Sequence, residues 1–198
     1  MKRFLFLALI AAPCFAQWRP LGRPGSELTG FFGVGGSTAI NPLGRSLDPG
    51  WNVAGGVGFA QGYTGVMLDA MVTGFGINDN TLARQGARSG YQRFWAITVD
   101  PIVHVNPRGP ADFYVTAGAG LYGRHTLLRS SAGGVGRPDF DLVRTDNLYG
   151  FGVNGGAGFA FTPSPYSRMK VFVEARYHHM FREDQGMSFV PVYIGVRF

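Results

Sequence analysis

The stretch "VPVYIGVRF", residues 190–198, alternates apolar residues with small or polar ones up to the last position printed. Its apolar positions are Val190, Val192, Ile194, Val196 and Phe198. Between them stand Pro191, Tyr193, Gly195 and Arg197. Because successive side chains of a strand point to opposite faces, this pattern predicts a strand with one wholly apolar face. Chain ends are usually polar and frayed, so an apolar strand ending on an aromatic residue needs apolar surroundings. We therefore predict that this face contacts lipid.

The first sixteen residues predict export. Two basic residues are followed by an apolar run over 4–12, and small residues precede a cleavage point after Ala16, which is the pattern of a secretory signal peptide. The run is far shorter than the roughly 20 residues of a spanning helix. Two alternatives remain open, namely lipidation of Cys14, which the preceding Pro13 disfavours, and an anchor that is never cleaved. We expect a signal peptide over 1–16, a short periplasmic segment over 17–26 and an outer-membrane barrel over 27–198.

The composition argues against disulfides, a nucleic-acid partner and a spanning helix in the mature chain. The single cysteine lies within the expected signal peptide, so the mature chain is exported without disulfides. Two of the 18 basic residues lie in the signal peptide, so the mature chain has 16 basic and 12 acidic residues. This mild, scattered excess of basic residues does not predict a nucleic-acid partner. Glycine, at 31 of 198 residues, is roughly twice as frequent as in an average protein. No later apolar run predicts a spanning helix, and the length predicts one domain.

Alternation with a period of two continues through the mature chain and predicts eight strands. These strands lie at about 27–38, 50–61, 65–76, 91–106, 113–127, 147–162, 170–179 and 188–198. Their connections are short at 62–64, 107–112 and 163–169, and mostly longer and polar at 39–49, 77–90, 128–146 and 180–187. Short turns at one end and long loops at the other are typical of outer-membrane barrels. The sequence therefore predicts an all-β fold, an eight-stranded antiparallel up-and-down transmembrane β-barrel.

The content of the two faces decides which one is outside, because a soluble carrier barrel would show the same alternation reversed. The polar face of the strands over 50–61 and 147–162 consists mainly of Gly, Ala and Asn, whereas a water-exposed face normally carries Lys and Glu. Small residues suit the narrow interior of an eight-stranded barrel. Tyr149 and Phe159, on the apolar face, are about 33 Å apart along a strand, or about 25 Å across a bilayer after tilt. We predict aromatic girdles formed by Trp51, Phe59, Trp95, Phe113, Tyr149, Phe151, Phe159, Phe161, Tyr177 and Phe198.

Charged residues fall on the inward face of the predicted strands. They are Glu27, Asp69, Asp100 and Glu174, with Arg124, Lys170, Arg176 and Arg197. Buried charges are tolerated when they are paired, and the two signs balance, so these residues predict an ion network inside the barrel. Glu27 opens the first strand and Arg197 nearly ends the last, which are neighbours if the sheet closes. We predict an ion pair between them, directly or through Lys170.

The signal peptide, the eight strands and the final "VYIGVRF" together resemble the small outer-membrane β-barrels of Gram-negative bacteria, the OmpA-like transmembrane domain and its relatives. The resemblance covers residues 17–198 as architecture, with the terminal strand as its only motif. It implies that Phe198, with outward-facing Ile194 and Val196, is recognised by the outer-membrane assembly machinery. No peptidoglycan-binding domain follows the barrel, so attachment to the cell wall is not expected.

Several motifs invite other functions. "GAGLYG" at 118–123 and "GFGVNG" at 150–155 spell G-x-G-x-x-G, but no helical pattern follows either, so we expect no nucleotide and no other cofactor. His178 and His179 are adjacent on a strand and point to opposite faces, so they cannot share a metal ion. His125, near Ser130 and Ser131, is a candidate base for an enzyme that modifies lipid A, although no compact catalytic motif supports that reaction.

We expect a non-enzymatic surface or structural protein, monomeric, in contact with outer-membrane lipid. Arginine pairs well with phosphate, so the loop arginines predict contact with lipopolysaccharide, and solvated loop charge is the alternative. These arginines are Arg84, Arg88, Arg129, Arg137 and Arg144. External ligands of the loops, a narrow conduit for small solutes, a lipid A-modifying enzyme and a soluble secreted carrier are the other functions that remain open.

Overall fold

The computed structural model describes residues 27–40, 43–132, 140–163, 169–182 and 186–198, with the side chains of 130–132 and 140–143 left out. The predicted signal peptide, the segment 17–26 and Arg137 lie outside these residues. The described residues contain no helix long and apolar enough to cross a membrane.

Eight strands make up most of the described chain. They are β1 (Glu27–Ile40), β2 (Gly50–Gln61), β3 (Thr64–Gly76), β4 (Ser89–His104), β5 (Ala111–Ala132), β6 (Phe140–Phe161), β7 (Lys170–Met180) and β8 (Met187–Arg197). The strands β5 and β6 extend beyond the predicted strands, into the predicted loop 128–146. The sequence over 128–146 shows no alternation of apolar and polar residues, so these outer parts were not recognised as strands.

The strands form a closed barrel in which each is antiparallel to its chain neighbour and β1 pairs with β8. A row of paired residues that starts at Gly30 passes through every strand and returns to β1 at Ile40, ten residues further along. Such a stagger tilts the strands by about 40° and leaves an interior that side chains fill. The predicted fold class, an eight-stranded antiparallel barrel, is confirmed.

The inner and outer faces of the barrel wall differ in polarity and exposure as predicted. Inward side chains such as Tyr114 and Phe94 are fully buried, whereas the outward Val57, Leu121 and Ile194 are each more than half exposed. A soluble protein rarely exposes so continuous an apolar surface, but a membrane-spanning barrel presents such a band to lipid. The alternation therefore places the apolar face outside, and the fold is a transmembrane barrel.

The connections β1–β2 and β3–β4 pack together over the long-loop end of the barrel. The first contains a 3₁₀ turn (Leu43–Arg45) and the second a short helix, α1 (Asp79–Arg84). Leu47 pairs with Ile77 and both are buried, together with Leu82 of α1. The helix was not predicted from the sequence. Its signal is Asn78, which accepts a hydrogen bond from the Thr81 N–H at 3.0 Å as an N-cap.

Candidate functional site: the barrel interior and the outer rim

Arg176 of β7 lies at the centre of the interior and contacts carboxylates from three strands. Its guanidinium is 2.7 Å from Asp69 of β3 and 3.0 Å from Asp100 of β4, and it donates to Glu174 on its own strand. All four residues are at least 95% buried. Since buried charges need partners, this arrangement holds opposite walls of the barrel together.

Asp100 and Glu174 accept further hydrogen bonds from neutral side chains. Asp100 accepts from Thr98 at 2.6 Å and from Asn154 at 2.7 Å. Glu174 accepts from the hydroxyl groups of two tyrosines, Tyr114 at 2.7 Å and Tyr193 at 2.5 Å. These bonds occupy the lone pairs that Arg176 leaves free, which a buried carboxylate requires.

Arg197 extends the cluster toward the short-turn end. One of its nitrogens lies 3.8 Å from a Glu174 oxygen, and its guanidinium is 4.4 Å from the centre of the Tyr114 ring and 5.4 Å from that of Phe172. Cation–π contact of this kind stabilises a desolvated guanidinium. Arg197 is thus held by one carboxylate and by aromatic faces.

The structure does not form the predicted ion pair between Glu27 and Arg197. The register places Arg197 opposite Phe31, four residues further along β1, and Glu27 is exposed at the end of its strand without an ion pair among the described residues. Lys170 does not connect them, because it donates to the Pro107 carbonyl at 2.6 Å and lies 3.7 Å from Asp112. The stagger of the closed barrel, which the sequence does not reveal, is the reason.

The eight predicted charges therefore form separate groups rather than one network. Asp69, Asp100, Glu174, Arg176 and Arg197 share the central cluster. Arg124 pairs at the long-loop end with Asp146, 2.7 Å away. Lys170 lies near the opposite end, beside His104 and Asp112, which were not predicted as ion partners. There His104 Nδ1 is 2.6 Å from Asp112.

An aromatic layer lies between the ion cluster and the loops. Phe94 and Phe189 have ring centroids 5.3 Å apart, Phe75 packs edge-on against Phe94 at 5.8 Å, and His178 stacks on Phe189 at 5.1 Å. All four side chains are at least 98% buried. The ion cluster lies below this layer and the packed loops lie above it. The three together fill successive levels of the interior.

A small cavity remains beside the ion cluster, lined by residues including Asp69, Thr98, Arg176 and His178. Its volume is about 10 Å³, close to the smallest space that holds a water molecule. Asp69 Oδ1 and His178 Nε2 lack a hydrogen-bond partner among the described residues. A water molecule is the occupant that this space and these atoms fit.

The ten residues of the predicted girdles lie on the outer face of the wall. Nine of them are 44–69% exposed, and the tenth, Trp95, is partly covered because its ring packs on Tyr149 at 6.0 Å. Phe198 also belongs to the wall, since its N–H and C=O each form a 2.9 Å hydrogen bond with Gly30 and so continue the β1–β8 pairing.

The candidate enzyme site at His125 is not assembled in the described residues. His125 Nδ1 hydrogen-bonds to Asn147 Oδ1 at 2.5 Å, and the side chains of Ser130 and Ser131 lie outside the description. A different pair, not predicted from the sequence, lies on the outer wall: His179 Nδ1 is 2.8 Å from Ser188 Oγ. In the described part of the chain no carboxylate contacts either residue, so the acid of a catalytic triad is missing there.

Four of the predicted loop arginines are described, and all four are exposed near the long-loop end. They are Arg84, Arg88, Arg129 and Arg144. Arg93, an outward residue of β4 that the sequence analysis did not name, is exposed on the same rim. Its position two residues before Trp95 is the sequence feature that could have identified it as an outward residue at the level of the predicted girdle.

No protein-family model and no curated protein sequence matches the chain. Among solved structures, it is similar to the Neisserial surface protein A, with a TM-score of 0.59 and 15% identity over 88% of this chain and 98% of that one. It is also similar to Ail, the attachment invasion locus protein of Yersinia pestis, solved in complex with the heparin analogue sucrose octasulfate (TM-score 0.50, 19% identity, 88% and 100% covered).

The chain has the fold of the small outer-membrane β-barrels. At 15% and 19% sequence identity, the similarity to these two structures shows the fold of the chain but does not identify a ligand. The resemblance drawn from the signal peptide, the eight strands and the terminal strand is thereby confirmed as architecture.

Proposed function

We propose that this small barrel resides in the outer membrane as a closed, non-enzymatic surface protein whose extracellular rim contacts lipopolysaccharide. The observation that carries the proposal is the filled interior, in which the Arg176 cluster and the Phe75–Phe94–Phe189 layer occupy successive levels. Such an interior leaves the outer surface as the face that meets ligands.

The outer wall supports the membrane assignment. Phe59 and Phe159 lie toward the short-turn end, and Trp51 and Tyr149 lie toward the long loops. Tyr149 and Phe159 are about 25 Å apart across the bilayer after tilt, and Trp51 and Phe59 about 20 Å. Pairing of Phe198 with Gly30 makes the terminal strand part of the closing seam, which suits recognition of that strand by the assembly machinery. Since the closed sheet leaves no edge in the membrane, we propose a monomer.

The exposed rim supports the choice of ligand. Arg84, Arg88, Arg129 and Arg144 are exposed near the long-loop end of the barrel, and a guanidinium binds phosphate through two parallel hydrogen bonds. Contact with lipopolysaccharide would also order these long side chains.

Thermal unfolding with and without lipopolysaccharide tests the proposal. We expect the melting temperature of the purified barrel in neutral detergent to rise with added lipopolysaccharide, since a ligand that binds only the folded state stabilises it. Dephosphorylated lipopolysaccharide is the control and should have a smaller effect. An unchanged melting temperature in both cases would contradict the proposed partner.

The enzyme alternative has its own measurement. Lipid A from cells that express the protein should keep its mass, and His125→Ala or Ser188→Ala should change nothing. A shift in lipid A mass that either substitution abolishes would replace the proposal with hydrolysis or acyl transfer.

A further inference from the structure

The outer wall of β4, β5 and β6 carries a polar row at the height where the lipid-facing band ends. Arg93, His125 and Asn147 stand directly opposite one another on these three strands. Paired residues on one face of a sheet have Cβ atoms about 5 Å apart, so the three side chains form one continuous surface. We name Arg93, His125 and Asn147, with the aromatic residues described next, the β4–β6 patch.

An aromatic floor lies two residues nearer the membrane on the same face. Trp95, Gly123 and Tyr149 are paired across the three strands, and the two rings are 6.0 Å apart. A Cβ atom built on Gly123 would collide with the indole of Trp95, so the glycine allows this ring to lie across the sheet. Tyr149 is 69% exposed. Tryptophan and tyrosine at this depth mark the level of lipid headgroups.

The charge of Arg93 is not neutralised by any carboxylate of the described residues. Arg93 is exposed, lies 5.6 Å from the centre of the Tyr91 ring, and forms no ion pair with a carboxylate of the described residues. His125 donates from Nδ1 to the Asn147 amide oxygen at 2.5 Å, which leaves the Asn147 amide N–H groups available as donors. The patch thus offers a guanidinium fork and an amide, both pointing outward.

The stagger of the barrel sets the height of these groups. Paired rows climb toward the long-loop end by about 3 Å per strand from β4 to β6, because the strands are tilted. Arg93 therefore lies at about the level of Tyr149, and Asn147 lies above both. A ligand with an anionic head above apolar chains matches this order of groups.

We propose that the β4–β6 patch binds the phosphate of a phosphorylated lipid of the outer leaflet, of the lipid A class. Arg93 forms bidentate hydrogen bonds with the phosphate, Asn147 donates a further hydrogen bond, and the acyl chains pack below against Trp95 and Tyr149. The inference rests on the proposed function and deepens it, since it assigns the contact with lipopolysaccharide to one site on the outer wall instead of to the loops.

Titration of the purified, folded barrel in neutral detergent tests the site. The probes are bisphosphorylated lipid A and the same lipid without its phosphates, and the readout is the rise in melting temperature as a function of lipid concentration. Arg93→Gln should weaken the apparent affinity for bisphosphorylated lipid A about tenfold. Arg108→Gln is the matched control, because Arg108 is also an exposed arginine but lies in the β4–β5 connection at the short-turn end, away from the patch. It should keep an affinity within about twofold of the wild type.

The outcomes separate the site from the proposed function. If the wild type is stabilised but Arg93→Gln and Arg108→Gln respond alike, the site is wrong and the proposed partner stands. If neither lipid stabilises the wild type, both proposals fail. Equal stabilisation by the dephosphorylated lipid overturns the phosphate contact, and stabilisation by a soluble polyanion such as sucrose octasulfate alone overturns the lipid. Arg93→Lys keeps the charge without the fork, so a partial loss of affinity in this variant supports bidentate binding independently of Arg93→Gln.

Discussion

Arg176 is the cation around which the interior carboxylates are arranged. Asp69, Asp100 and Glu174 come from three strands, and Arg176 contacts all of them. The nearest additional guanidinium, Arg197, reaches only Glu174, at 3.8 Å. Removal of Arg176 would therefore leave Asp69 and Asp100 buried without a cation in the cluster, and an uncompensated buried charge is far more costly than a broken surface ion pair.

We expect Arg176→Met to lower the free energy of unfolding by about 3–5 kcal/mol, the usual cost of breaking a buried ion pair. Urea titration of the barrel in lipid vesicles measures this change. Arg144→Met, at the exposed rim, is the control and should alter stability by about 0.5 kcal/mol or less. Adding Asp69→Asn to Arg176→Met should restore part of the loss, because one unpaired carboxylate is removed. Equal stability of Arg176→Met and the wild type would show that the cluster does not hold the walls together.

At the scale of the strand, small residues of one element accommodate large ones of the next. In β6, Gly158 lies against the Tyr114 ring, Gly152 against Tyr122 and Gly156 against Arg176. The glycine-rich inward face that indicated a narrow interior thus has a specific use, which is close approach of bulky side chains from β5 and β7.

Alternation predicted all eight strands and, within the predicted bounds, the face on which each side chain lies, because lipid outside and a packed interior impose opposite demands on neighbouring positions. It did not predict contacts between strands. Arg197 and Glu27 share the inward phase, yet the stagger separates them, and no local pattern encodes that stagger. The helix α1 and the outer parts of β5 and β6 were missed for a related reason, since residues that project past the lipid lose the two-faced signal.

Gly118→Ala should destabilise the barrel by about 1–3 kcal/mol, as overpacking of a filled interior usually does. A Cβ atom at Gly118 would collide with the Asp100 carboxylate and the Val99 carbonyl. Gly155→Ala, on the neighbouring strand, is the matched control, because the nearest atom to its new Cβ is the Thr116 carbonyl oxygen at 3.8 Å. Urea titration in vesicles should therefore separate the two variants, and equal stability would mean that Asp100 moves freely.

At the scale of the whole molecule, the barrel is filled in layers. Lys170, Asp112 and His104 lie near the short-turn end, the Arg176 cluster with Arg197 comes next, and the aromatic layer and the packed loops follow. Each layer joins several strands, so the wall and its contents stabilise each other. An ion or solute would have to displace at least two of these layers to pass.

We expect the folded barrel to show no conductance steps in a planar lipid bilayer. The reason is that the charged and aromatic layers close the lumen separately, so the double variant Phe94→Ala/Phe189→Ala should also stay closed while the Arg176 cluster remains intact. The folded fraction is checked on the same preparation, because unfolded protein would give a silent membrane for a trivial reason. Steps whose frequency rises with the amount of wild-type protein would instead support the conduit, and the ion cluster would then have to line its path rather than block it.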